Sequence, residues 1–177
     1  MKKKSIIILI LVMNGFLGYG QKLPTFDVVT GFGFTDAFHL GIKVHFLERN
    51  QIGIYYGNNL NLGDGSYNSF SLDHQLHFGK TSDFSSRKVW FLRQGLTYSI
   101  ENDYYSEFKY LFLSFSIGRE INISPKVGIS IDLGLFHTLQ EKERVKVERE
   151  HSLDNIRLDM KDFFVLPNLR IQFFYSF

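Results

Sequence analysis

The chain has 177 residues, 20 Lys and Arg against 18 Asp and Glu, no cysteine, and 16% aromatic residues dominated by Phe and Tyr. The near-neutral balance excludes a protein that grips nucleic acid by charge, and the missing cysteine excludes disulfides and any Cys-based zinc site. A chain of this size makes one domain, and so many aromatics favour pleated β structure.

The first twenty residues stand apart. Lys2, Lys3 and Lys4 form a basic start, Ser5 to Met13 is almost unbroken aliphatic, and Gly18 and Gly20 place small residues before a cut between Gly20 and Gln21. This is the pattern of a secretory signal peptide over 1–20, because the apolar run is well short of the ~20 residues that a spanning helix needs. No cysteine follows the cut, so a lipid anchor through cysteine is excluded. The 20 basic residues less the three of the leader leave 17 against 18 acidic ones, so the exported domain, 21–177, is about neutral.

Period-two alternation then marks eight strands in turn. The first, near 25–34, sets Phe26, Val28, Phe32 and Phe34 against Asp27, Gly31 and Gly33. The second, near 38–47, sets Leu40, Ile42, Val44 and Phe46 against His39, Gly41, Lys43 and His45. The third, 51–59, opposes Ile52, Ile54 and Tyr56 to Gly53, Tyr55 and Gly57. In the fourth, Phe70, Leu72, Leu76 and Phe78 oppose Ser71, Asp73, Gln75, His77 and Gly79. In the fifth, Trp90, Leu92, Leu96, Tyr98 and Ile100 oppose Arg93, Gly95, Thr97 and Ser99. The sixth sets Leu111, Leu113, Phe115 and Ile117 against Ser114, Ser116 and Gly118. The seventh sets Val127, Ile129, Ile131, Leu133 and Leu135 against Gly128, Ser130, Asp132 and Gly134. The last carries Leu169, Ile171, Phe173 and Tyr175 on one side and Asn168, Arg170, Gln172 and Ser176 on the other, interrupted by Phe174 and ending on Phe177.

Alternation does not say which face points inward, but residue size does. An eight-stranded barrel is just wide enough inside for side chains, so its concave face needs small residues. The glycines lie on the polar face and the bulky apolar residues on the other, and a greasy exterior makes sense only against lipid. The expected fold is therefore an all-β, closed, eight-stranded antiparallel up-and-down transmembrane barrel. Short turns at 48–50 and 122–126, with a middling one at 80–88, fall on the periplasmic side. The segments 35–37, 59–68, 101–107 and a long charged one at 140–162 fall outside. Phe46, Phe78, Trp90, Tyr175 and Phe177 would make the lower aromatic girdle, and Phe34, Phe38, Tyr56, Phe70 and Tyr98 the upper.

With its closing strand signal at Phe173, Tyr175 and Phe177, the chain resembles the small eight-stranded outer-membrane β-barrel families of the OmpA/OmpX-like type. The resemblance implies a place in the cell outer membrane, contact with its lipids and lipopolysaccharide, and insertion by the barrel-assembly machinery. It does not choose among structural proteins, adhesins, narrow channels and lipid-modifying enzymes.

Three groups of residues are candidates for function. Asp27, Lys43, Asp73, Arg93, Asp132 and Arg170 share the inward face with His39, His45, His77 and Gln172, and three acids there balance three strong bases. Their expected role is a structural plug rather than a pore, since unpaired buried charge is costly. His74 and Gln94 stand on the oily face. If Phe78 pairs with Trp90 they lie opposite each other, either bonded together or available to a protein partner. The charge run at 140–162 is solvated surface or a clamp for lipopolysaccharide phosphates, and its continued alternation at 144–148 predicts that strands seven and eight extend through it as a hairpin. His137 with Thr138 and Glu141, and His151-Ser152, are the nearest approaches to a nucleophile and base, and neither matches the His, Ser and acid spacing expected of barrel deacylases or acyltransferases. The expectation is a non-enzymatic, monomeric barrel, without cofactor or metal, whose outer loops serve a structural or interaction role, with a narrow or gated pore for small solutes as the alternative and an outer-leaflet lipid-modifying enzyme as the third reading.

Overall fold

A computed structural model describes residues 26–47, 49–60, 65–146 and 165–177. The leader, the Gly20–Gln21 cleavage point and His151-Ser152 lie outside the described residues. The strands are β1 (Phe26–Gly33), β2 (Ala37–Leu47), β3 (Asn50–Asn58), β4 (Ser66–Thr81), β5 (Lys88–Asn102), β6 (Ser106–Asn122), β7 (Val127–Val145) and β8 (Leu166–Ser176). Each pairs antiparallel with its sequence neighbour, and β8 closes on β1, giving a closed barrel in strand order.

Closure with tilt shows in the register. A row of opposed residues begins at Phe78 and runs through Trp90, Arg119, Ile131, Ile171, Phe32, Phe38 and Asn58. It returns to β4 at Asn68, ten residues from its start. This stagger lets a strongly tilted sheet close on itself with no free edge.

The two faces are as different as the sequence pattern demands. Leu133 is 61% and Phe173 53% exposed, and both belong to an apolar belt that includes Leu40, Ile54, Phe70, Leu92 and Phe115. Every residue placed in the two aromatic girdles is on the outer surface. Inside lie Asp27, Lys43, Asp73, Arg93, Asp132 and Arg170, all buried.

The interior is not simply small, however. Tyr55, Phe91, Phe108, Tyr110, Phe112, Phe136 and Phe174 are buried there too. Glycines on neighbouring strands make the room. Tyr55 lies across from Gly41, Phe91 from Gly118 and Phe174 from Gly128. A Cβ at any of the three glycines would run into the facing ring. Gly79 departs from the expected inward face. It takes φ +81° at the irregularity between Phe78 and Thr81, a backbone region that a β-carbon disfavours.

Several strands also run further than the alternation suggested. Among the described residues the hairpin that rises furthest is β6–β7, paired from Asn122–Gly128 up to Ser106–Val145. The residues that prolong β7 as far as Val145 pair with β6, and the expected continuation of strands seven and eight through 147–162 lies outside the described residues. On the rising part Lys109 donates to Glu107 at 2.9 Å, and that bond holds the Glu107 carboxyl below its ordinary range.

Candidate functional site

The only dense polar chemistry among the described residues lies in the lumen, and it is layered. At the lower mouth, where the turns 82–87 and 123–126 lie, Asp27 of β1 receives a bidentate pair of hydrogen bonds from Arg87, 2.7 Å to each carboxylate oxygen. Arg87 ends the β4–β5 turn, across the barrel from β1 in strand order, so this bond spans the opening. His45 adds its Nε2, 3.0 Å from the same carboxylate, and the Arg87 guanidinium lies 5.7 Å from the Phe174 ring.

Above it, Lys43 of β2 donates to Gln75 Oε1 of β4 at 3.5 Å. Glu120 of β6 is buried on the same inward face. His77 Nδ1 lies 2.9 Å from the Lys88 carbonyl, the acceptor of that contact.

The next layer centres on Arg170, which is 1% exposed. Its Nη1 donates to Asp73 at 2.7 Å, its Nε pairs with Asp36 at 3.0 Å, and its guanidinium lies 4.0 Å over the Tyr55 ring. The Tyr55 hydroxyl donates to the other oxygen of Asp73 at 3.1 Å. Beside this group Arg93 donates to Asp132 through Nη2 at 2.7 Å and through Nε at 3.2 Å. Gln172 and His39 complete the layer, amide nitrogen to Nε2 at 2.9 Å.

Asp36 reaches Arg170 because the short β1–β2 turn, 34–36, folds into the barrel instead of away from it. Asp36 Oδ1 accepts from Ser71 at 2.8 Å and from Thr97 at 3.2 Å. Tyr67 donates to the Thr35 carbonyl at 2.6 Å, and Ser69 to that of Asp36 at 3.1 Å. Leaving the turn, Ala37 has φ +53°, a backbone strain that these bonds hold in place. The uppermost layer is aromatic: Phe108, Tyr110, Phe112 and Phe136, with Leu166 packed on them.

The structure therefore brings the six expected charges into the lumen but pairs them differently from a three-against-three balance. Arg93 meets Asp132 and Arg170 meets Asp73, whereas Asp27 is held by Arg87 and Arg170 takes Asp36 as a second acid. Asp36, Arg87 and Glu120 were missed. Glu120 had a signal, since the alternation Ser114, Ser116, Gly118 continues onto it. Asp36 and Arg87 lie in turns, where alternation carries no information.

On the outer face Phe78 opposes Trp90 and His74 opposes Gln94. The Gln94 amide nitrogen lies 3.2 Å from His74 Nδ1, and His74 Nε2 lies 2.9 Å from Asn50 Oδ1. The polar spot is thus a chain of three side chains across β3, β4 and β5. It borders a groove of about 490 Å³ lined mostly by apolar residues such as Leu76, Leu92, Phe115 and Leu133, with Arg93 and Ser116 also on its wall. His137, Thr138 and Glu141 are half-buried in the upper part of β7.

No family model matches the chain, and no curated protein matches it. Among solved structures it is similar to a major outer membrane protein from Thermus thermophilus, at 14% identity and TM-score 0.49, over 88% of this chain and 100% of that one.

Proposed function

We propose that the protein is an integral barrel of the cell outer membrane with a structural or surface-interaction role, not a catalyst. One observation carries the reading: bulky apolar residues circle the outside while paired charges fill the axis. A water-soluble barrel needs the reverse arrangement, whereas lipid rewards this one. The leader pattern at 1–20 agrees with export. The layered lumen favours a closed barrel over a solute pore, since eight strands leave little space once side chains fill it. The β6–β7 hairpin, rising past the belt with Glu107, Lys109, Lys142 and Arg144, is the surface offered to partners, lipopolysaccharide phosphates among them.

The test is a gel-mobility assay on the full chain extracted in detergent. A folded membrane barrel migrates differently before and after boiling, and a chain that stays in solution without detergent overturns the reading. Planar-bilayer recording separates the alternative. No stepwise conductance is expected, and steady channel steps would replace the structural role with transport.

A further inference from the structure

We infer that the lower rim binds the phosphate of an anionic phospholipid through Lys80, Lys88 and Arg119 around Trp90, a site that rests on the membrane reading above. Among the described residues this rim is one-sided in charge. Arg49, Lys80, Lys88, Arg119 and Lys126 are accessible there, against the single acid Asp83. None of the five enters an ion pair with a described residue. The opposite end carries both signs, with Lys109 paired to Glu107 and Glu141 and Glu143 alternating with Lys142 and Arg144 along β7.

Three of the bases are gathered at one place by register. Trp90 of β5 lies opposite Phe78 of β4 on one side and Arg119 of β6 on the other, and Thr81 opposes Lys88 just below. The irregularity between Phe78 and Thr81 puts Lys80 into the same hairpin end. Arg119 holds its guanidinium 5.5 Å over the Trp90 ring, which leaves its N–H edge for another acceptor.

The chemistry of the occupant follows. Trp90 and Phe78 end the apolar belt, and indole rings sit at the level of lipid headgroups. Lys and Arg there lay their carbon stems along the apolar surface and keep their charge at phosphate depth. A fork of guanidinium N–H groups matches phosphate oxygens, and clustered cations favour lipids with net negative charge over zwitterionic ones.

Native mass spectrometry of the folded full chain in neutral detergent tests this, with phosphatidylglycerol and phosphatidylcholine as probes. Phosphatidylglycerol should stay bound and phosphatidylcholine should not. The variant Lys80→Gln/Lys88→Gln/Arg119→Gln should lose about tenfold in affinity, equivalent to about 1.4 kcal/mol. The control Arg49→Gln/Lys126→Gln, on the same rim but outside the Trp90 cluster, should bind as the parent does. Equal binding by the rim variant, or equal retention of the two lipids, overturns the site. If the rim variant does not fold, the parent is measured at rising salt: loss of phosphatidylglycerol supports the site and indifference to salt overturns it. A parent chain without the boiling-dependent mobility shift overturns the membrane reading itself, whereas a folded parent that ignores phosphatidylglycerol overturns only the site.

Discussion

Arg170 shows why the interior is built from pairs. A buried guanidinium is tolerable only when acids and an aromatic face surround it, and Asp36, Asp73 and Tyr55 do so at 3.0, 2.7 and 4.0 Å. Removing one partner is worse than removing both, because a lone buried charge keeps its desolvation cost. The Arg93–Asp132 pair gives the cleaner experiment. Arg93→Ala should lower resistance to urea by about 3–5 kcal/mol, whereas Arg93→Met/Asp132→Leu should lose much less. Urea titrations of the boiling-sensitive band measure both. An Arg93→Ala protein as resistant as the parent would remove the structural role of the pair. The identities of these residues were legible because alternation fixes the face of every strand residue. Their pairing was not. Which charges meet depends on the stagger of the closed barrel, and on turn residues such as Asp36 and Arg87 that fold back toward the axis.

At the level of strands, closure is a matter of steric exchange between neighbours. At four large inward side chains the facing residue has given up its own: Gly118 for Phe91, Gly128 for Phe174, Gly41 for Tyr55, Gly33 for Arg170. Glycine costs strand stability on its own account, so these positions persist because the ring covers the exposed backbone. Gly118→Ala should therefore destabilise by about 1–3 kcal/mol, as overpacking of a filled core does. Its new methyl would meet the Phe91 ring and the Asp132 Cβ. In a Phe91→Leu background the same substitution should cost less, and matched urea midpoints would show it. Identical costs in the two backgrounds would mean that ring and glycine are not coupled. The strands themselves were plain in the sequence, since both faces alternate cleanly. Their upper ends were not, because β6 and β7 continue beyond the apolar belt, where Glu107 and Lys109 alternate with inward Phe108 and Tyr110.

For the molecule as a whole, the outer belt and the inner layers answer separate questions. The belt is broken at His74 and Gln94, but these bond to each other and to Asn50 within one barrel. Such a self-contained spot has no need of a second copy. His74→Leu/Gln94→Leu should leave the oligomeric state unchanged in cross-linking within membranes, and a change in stoichiometry would reveal a protein contact there. The layers decide whether the lumen is a plug or a gate. A gate is a single obstruction, so breaking it opens the path. Here the Asp27–Arg87 clamp, the Arg170 layer and the aromatic layer with Phe108 and Tyr110 lie in succession. Loss of one leaves two in place. Arg93→Ala/Arg170→Ala should accordingly be less stable yet carry no more current across a planar bilayer than the parent. Stepwise conductance appearing in that variant alone would mean that the charged layer is the one barrier, and the barrel a closed channel rather than a filled one.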